Sequence, residues 1–220
     1  MAELIQGLDA ETVRSNLERV RAEISSTGRD LAEVEVLAAV KYLPQEDLAV
    51  LKDVGLELLG ENRAQELVRK AQAYPGAFIW DFIGALQSRK VRSLLPYVRY
   101  IHSVASDSVL AQLERHGTPE TEVLVEVNVS GEEGKSGVAP EELPAFLDRC
   151  PVRVVGLMTM PPLADDPELS RPHFVALREL AQRHGLRHLS MGTSQDYLVA
   201  VQEGATLVRL GTTLYSASVA

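Results

Sequence analysis

An eightfold alternation of short apolar segments with helix-patterned stretches limits this chain more than any other feature of its sequence. Segments 34–40, 56–59, 78–83, 99–102, 123–127, 152–157, 188–190 and 206–210 are bounded by glycine, proline or polar residues. Near-continuous apolar runs of this length fit strands buried on both faces of a parallel sheet. Helical spacing marks 44–54, 63–73, 87–95, 107–116, 140–149, 169–184 and 195–203, and an amphipathic helix over 9–27 precedes them all. In that first helix Val13, Leu17, Val20 and Ile24 form the apolar stripe, and Thr27-Gly28 is the stop. In the next, Pro44 opens the helix, Gly55 closes it, and Leu48, Leu51 and Val54 are the expected buried face.

Strand and helix alternating eight times predict a parallel barrel. An open doubly wound sheet would alternate similarly, but no strand is followed by a G-x-G-x-x-G turn. The expectation is a single α/β domain over 1–220, a parallel (β/α)8 TIM-type barrel with an extra N-terminal helix. The sequence ends at Ala220, soon after the eighth strand, so helix 9–27 is expected to cover the face a full last helix would take.

Charge and cysteine content narrow the function. Net charge is −9, which excludes a general phosphate-backbone binder and so a nucleic-acid partner. Cys150 is the only cysteine, so no intramolecular disulfide forms, as suits a reducing cytoplasm. The first residues include Glu3, Asp9 and Glu11 rather than a basic-then-apolar leader. No apolar run reaches the roughly 20 residues that span a bilayer. A soluble cytoplasmic protein without a membrane partner is expected, and a monomer, since no large apolar stripe is left over.

Barrel chemistry sits at the carboxyl ends of the strands. Those ends read Lys41, Asn62, Gly84, Ser103, Asn128, Met158, Ser190 with Ser194, and Arg209 with Gly211-Thr212. Most are also ordinary turn formers. Lys41 is the exception, because lysine ending an apolar strand needs either solvent or a chemical role. The loops after strands seven and eight often hold phosphate in barrels. Here they are Ser190-Met191-Gly192-Thr193-Ser194 and Gly211-Thr212-Thr213, rich in backbone amides and hydroxyls. Ser194, placed just before helix 195–203, would act as its N-cap, hold an anion there, or do both. A lysine amine condenses with aldehydes. A ligand with an aldehyde at Lys41 and a phosphate at the opposite side of the mouth meets both features, and pyridoxal phosphate is such a ligand. Arg209 would then face its ring nitrogen and keep it unprotonated, weakening it as an electron sink.

Other signals carry less. Gly134-Lys135-Ser136 ends like a P-loop, but Val129 stands where that motif needs glycine. Histidines 102, 116, 173, 184 and 188 have no metal-type spacing, so no metal is expected. His102, at a strand end, is assigned to support or packing rather than catalysis. Lys135-Ser136 is either a ligand loop or a solvated turn.

The chain resembles the pyridoxal phosphate homeostasis proteins (YggS/PROSC type), whose barrel is similar to that of alanine racemase. The matching segments are Ala39-Val40-Lys41 with Pro44, Gly60-Glu61-Asn62, and Trp80 to Gln87. They continue with Ile101-His102-Ser103, Asn128-Val129-Ser130, Lys135-Ser136-Gly137 and Gly156-Leu157-Met158. Leu189 to Asp196 and Val208 to Thr212 complete the series. The resemblance implies a fold type III pyridoxal phosphate barrel with Lys41 carrying the internal aldimine. It also implies that Ser194, Gly211 and Thr212 hold the phosphate and that Arg209 lies near the pyridine nitrogen. Asn62, Ser103, Asn128, Met158 and Ser190 complete the expected cofactor-binding set. The pattern is broken at Val40 (usually serine), Leu43 (often lysine), Asp81 (usually histidine) and Arg89 (usually asparagine). Losing lysine at 43 weakens any mechanism in which a neighbouring amine receives the cofactor.

The expected function is reversible holding of pyridoxal phosphate in vitamin B6 homeostasis, without robust catalysis, with dependent apoenzymes as recipients. The alternative is an amino-acid racemase, which needs proton-transfer groups on both faces of the cofactor. In the related racemase, a tyrosine from a second domain supplies one face, and that domain is not expected here. A sugar-phosphate isomerase or aldolase using Lys41 is the third alternative, and it would be colourless.

Overall fold

A computed structural model describes residue 5 and residues 7–216. Eight parallel strands close into a barrel in sequence order: β1 Glu35–Ala39, β2 Leu58–Glu61, β3 Ile79–Phe82, β4 Tyr100–Val104, β5 Glu122–Glu126, β6 Arg153–Met158, β7 His188–Thr193 and β8 Leu207–Leu210. Closure pairs β1 with β8, with Ala38 beside Leu210. The glycine loop after β8 and the lysine after β1 are therefore neighbours on the rim, not opposite each other.

Around the strands lie α1 (Ala10–Ser26), α2 (Leu48–Asp53), α3 (Ala64–Ala73), α4 (Val91–Leu94), α5 (Asp107–His116), α6 (Leu143–Arg149), α7 (Arg171–Arg183), α8 (Tyr197–Gln202) and α9 (Thr212–Tyr215). Asp9 caps α1 by accepting from the Thr12 amide, and Val13, Leu17, Val20 and Ile24 are buried on one face, as their spacing predicts. This helix packs on α9, where Asn16 Nδ2 donates to the carbonyls of Leu214 (3.2 Å) and Ser216 (2.9 Å). The N-terminal helix thus covers the last face. The main apolar core lies between the strands and this helical layer.

Several boundaries differ from expectation for local reasons. Val54 falls beyond the end of α2 and is only half-buried. Helix 87–95 divides into a 3-10 turn, Ser88–Lys90, and the single turn of α4. Helix 140–149 begins at Leu143, with Pro144 in its first turn, where the missing N–H costs nothing. Strands β4 and β7 run past their predicted ends, because Ser103 and Ser190 have partners within the barrel and are not turn formers.

Candidate functional site

A cavity of about 470 Å³ opens at the carboxyl ends of the strands. Lys41, Asn62, Ser103, Met158, Ser194, Arg209, Gly211 and Thr212 all line it. Asn128 and Ser190 do not. Asn128 is half-buried and shapes the turn after β5, donating to the Glu132 carbonyl (2.9 Å) and accepting from the Ser130 hydroxyl (3.0 Å). Ser190 is buried inside β7, where strand rather than loop carries it.

Lys41 sits two residues past β1 with its side chain exposed, Nζ 4.7 Å from the centroid of the Tyr42 ring. The backbone just before it is tightly held. The Val40 amide donates to the Gly60 carbonyl (2.9 Å), and the Val40 carbonyl accepts from Lys70 Nζ (2.7 Å). Lys70 is also paired with Glu61 at 2.7 Å, both fully buried. The second Glu61 oxygen accepts from the amides of Asn62 (2.7 Å) and Arg63 (3.1 Å). One buried ion pair therefore ties the exits of β1 and β2 together, and it fixes the base from which Lys41 projects.

Beside it, the β7 and β8 exits build a donor cradle. Ser194 Oγ accepts from the amides of Gly211 and Thr213, each at 3.3 Å. Two amides converging on one oxygen also suit an oxygen of an anion. Gly192 lets α8 pack closely on the β7 exit: its φ of +91° disfavours other residues, and a Cβ there would lie 2.6 Å from Ala200 Cβ. Ser194 is not a helix cap, however. Helix α8 starts later than predicted, at Tyr197, because Asp196 turns the chain first. The Asp196 carboxylate accepts from the Thr193 amide (2.7 Å) and the Ser170 hydroxyl (2.8 Å). The converging amides belong to the β8 exit, not to helix 195–203.

Arg209 reaches the cavity from the barrel interior. Nη1 donates to the carbonyl (2.7 Å) and hydroxyl (2.6 Å) of Ser190, and Nη2 to the Thr159 carbonyl (2.9 Å) and Met160 sulfur (2.9 Å). Burial pulls its pKa down to about 10, which leaves it cationic at neutral pH. His102 lies within β4, fully buried, between Asp81 and Ser190.

Among the lining residues that were not anticipated, two are buried and carry a polar group, Tyr215 and Glu126. Tyr215, on the single turn of α9, has a buried hydroxyl without a partner among the described residues. Burial raises its pKa, as does the nearby Glu61 charge. Glu126, the last residue of β5, is buried, and its carboxylate accepts no hydrogen bond from the described residues. A carboxylate inside Val123-Leu124-Val125-Glu126-Val127 was the available signal, since alternation along the strand puts it on the face of Leu124.

Burial raises the Glu126 pKa, only partly offset by Arg209. A carboxyl raised in the folded state binds protons more tightly there than in the unfolded chain. Stability then falls as pH rises from the unfolded value, about 4.3. Glu126→Gln removes this cost. Its melting temperature is expected to match wild type near pH 4 and exceed it at pH 8. A constant difference across that range contradicts the assignment.

Among the described residues, no group of histidine, cysteine and carboxylate side chains is placed to hold a metal. No described helix is long and apolar enough to cross a membrane.

The sequence matches the family described as alanine racemase, N-terminal domain, over residues 8–219. A pyridoxal phosphate homeostasis protein of Aquifex aeolicus is 41% identical over 213 residues, covering 90% of this chain and 93% of the relative. The structure of PipY from Synechococcus elongatus, with PLP bound, superposes with a TM-score of 0.77 at 28% identity, covering 93% of this chain and all of PipY (100%). Alanine racemase of Corynebacterium glutamicum shares the fold, with a TM-score of 0.74 at 17% identity over 98% of this chain and 64% of the racemase. The closed barrel, the lysine at the first strand exit and these likenesses agree: the chain belongs to the alanine racemase N-terminal domain family, among its pyridoxal phosphate homeostasis proteins.

Proposed function

We propose that this protein holds pyridoxal 5'-phosphate reversibly at the barrel mouth and serves its intracellular homeostasis, without robust turnover. The observation that carries this is that Lys41, Ser194, Gly211 and Thr212 line one cavity, with the Gly211 and Thr213 amides converging on Ser194 Oγ. The residues fit the cofactor on independent grounds. Asn62 and Tyr215 both line that cavity, and Asn62 Oδ1 and Tyr215 Oη are buried and unpartnered among the described residues, as polar atoms awaiting a polar ligand would be.

When bound, the cofactor supplies an aldehyde for a lysine and a ring able to draw off electrons. Lys41 Nζ is the amine that would hold the cofactor through its aldehyde. The cradle takes the phosphate, with Thr212 beside it. Arg209, a donor that stays cationic, would face the ring nitrogen and oppose its protonation. That arrangement favours holding over carbanion chemistry, and it supports the homeostasis reading over the racemase one. Asn128 and Ser190 act behind the cavity, by shaping a turn and by holding Arg209. The recipients proposed for released cofactor are apoenzymes that depend on it.

Titration with pyridoxal phosphate and with pyridoxal, which lacks the phosphate, tests the assignment. One equivalent of the phosphate form is expected to bind. Pyridoxal is expected to bind about a hundredfold more weakly, the equivalent of about 2.7 kcal/mol. Incubated L-alanine is expected to stay a single enantiomer. No uptake contradicts the reading, and racemization at about 1 per second or faster transfers it to the racemase.

A further inference from the structure

We propose that Asp81, His102 and Ser190 are positioning residues that hold Arg209 for the cavity's ligand through a single directed hydrogen-bond chain crossing the barrel. The chain begins at the amino-terminal mouth, where Arg99 Nη1 donates to Glu35 (2.7 Å). Arg99 then grips both oxygens of Asp81, from Nε (3.0 Å) and Nη2 (2.6 Å), and the Tyr100 amide adds a third donor at 3.2 Å. Asp81 Oδ2 lies 3.1 Å from His102 Nε2, His102 Nδ1 lies 2.9 Å from Ser190 Oγ, and Ser190 Oγ lies 2.6 Å from Arg209 Nη1. Asp81, His102 and Ser190 are all fully buried.

Each hydrogen in this chain has one place. Burial would raise the Asp81 pKa, but His102 and Arg99 outweigh it and keep the group ionised. An ionised carboxylate only accepts, so the hydrogen between Asp81 and His102 is on Nε2. Burial lowers the His102 pKa despite Asp81, which leaves Nδ1 with a lone pair. Ser190 therefore donates its hydrogen to Nδ1 and turns its own lone pairs to Arg209, a group that only donates. With the reverse tautomer, the Ser190 hydrogen would point at a guanidinium that cannot accept it.

The consequence falls on Arg209. A guanidinium has five N–H groups, and four are placed on Ser190, Thr159 and Met160. Nε–H is left without a partner among the described residues, as the donor available to a ligand. An ionised residue at 81 sets the polarity of the whole chain. A neutral histidine there, as the family pattern has it, would not.

This proposal rests on the cofactor reading at its last link only, and its test separates the two. Histidine-selective ¹⁵N NMR of the cofactor-free protein is expected to show His102 neutral with the proton on Nε2 at about pH 7. A protonated ring or the Nδ1–H tautomer overturns the chain. Asp81→Asn is expected to move the proton to Nδ1 in part or wholly. Pyridoxal phosphate titrations then test the last link. Asp81→Asn and Ser190→Ala are each expected to weaken binding about tenfold, as loss of one hydrogen bond to a charged group does, and to shift the bound cofactor's absorption band. Ser190→Thr, which keeps the hydroxyl, is expected to restore both. Should Asp81→Asn fail to fold, the two Ser190 variants carry the test. Folded variants that bind with the wild-type spectrum and affinity overturn the positioning role. Wild-type protein that binds no cofactor sinks the cofactor reading and leaves the tautomer result standing.

Discussion

Lys41→Ala is expected to weaken retention of pyridoxal phosphate by at least about a hundredfold, roughly 2.7 kcal/mol, and to abolish any linkage that borohydride can fix. The cradle at Ser194, Gly211 and Thr213 and the Arg209 donor remain in the variant, so residual non-covalent binding is expected. What is lost is the bond that turns a phosphate-anchored aldehyde into a held cofactor. Lys41 is exposed and makes no ion pair among the described residues, so the fold is expected to be indifferent to the change, within about 0.5 kcal/mol. This combination, near-normal stability with binding largely gone, separates a ligand-holding lysine from a structural one. A variant that keeps wild-type affinity and a reducible linkage contradicts the assignment.

The opposite combination is expected at Lys70. Its side chain is 2% exposed, and its amine serves Glu61 and the Val40 carbonyl. Lys70→Met leaves the Glu61 carboxylate buried without its counter-charge, a change that costs about 3–5 kcal/mol. For a chain of this size that corresponds to a drop in melting temperature of roughly 10 °C. Adding Glu61→Gln removes the uncompensated charge while keeping an oxygen for the amides of Asn62 and Arg63. The double variant is therefore expected to be more stable than Lys70→Met alone. A Lys70→Met protein that melts with wild type would show that the pair does not hold the β1 and β2 exits.

Much of this was legible in the sequence, and the exceptions have physical causes. The alternation of apolar runs and helical stretches carried the strand order, because buried parallel strands and the helices over them leave separate periodic marks. Lys41, Arg209 and the Gly211-Thr212 turn were legible because strand exits are where a barrel displays its chemistry. Ser190 and His102 misled, since a polar residue in an apolar segment looks like a strand end until a partner across the barrel is known. Each is the other's partner across the barrel, His102 on β4 and Ser190 on β7, 88 residues apart in sequence. Lys70 was hidden for the same reason: on α3 it reads as one more surface lysine, and only closure brings it to Glu61 and Val40. Ser194 was found, but with the wrong neighbours, because Asp196 delays α8 and the amides come from the next strand.

The most direct test of the central claim is to saturate the protein with pyridoxal phosphate, reduce it with borohydride, and map the label by peptide mass spectrometry. One label per chain, on the peptide containing Lys41, is the predicted result. Absence of a label, or a label spread over other lysines while Lys41 stays free, would contradict it.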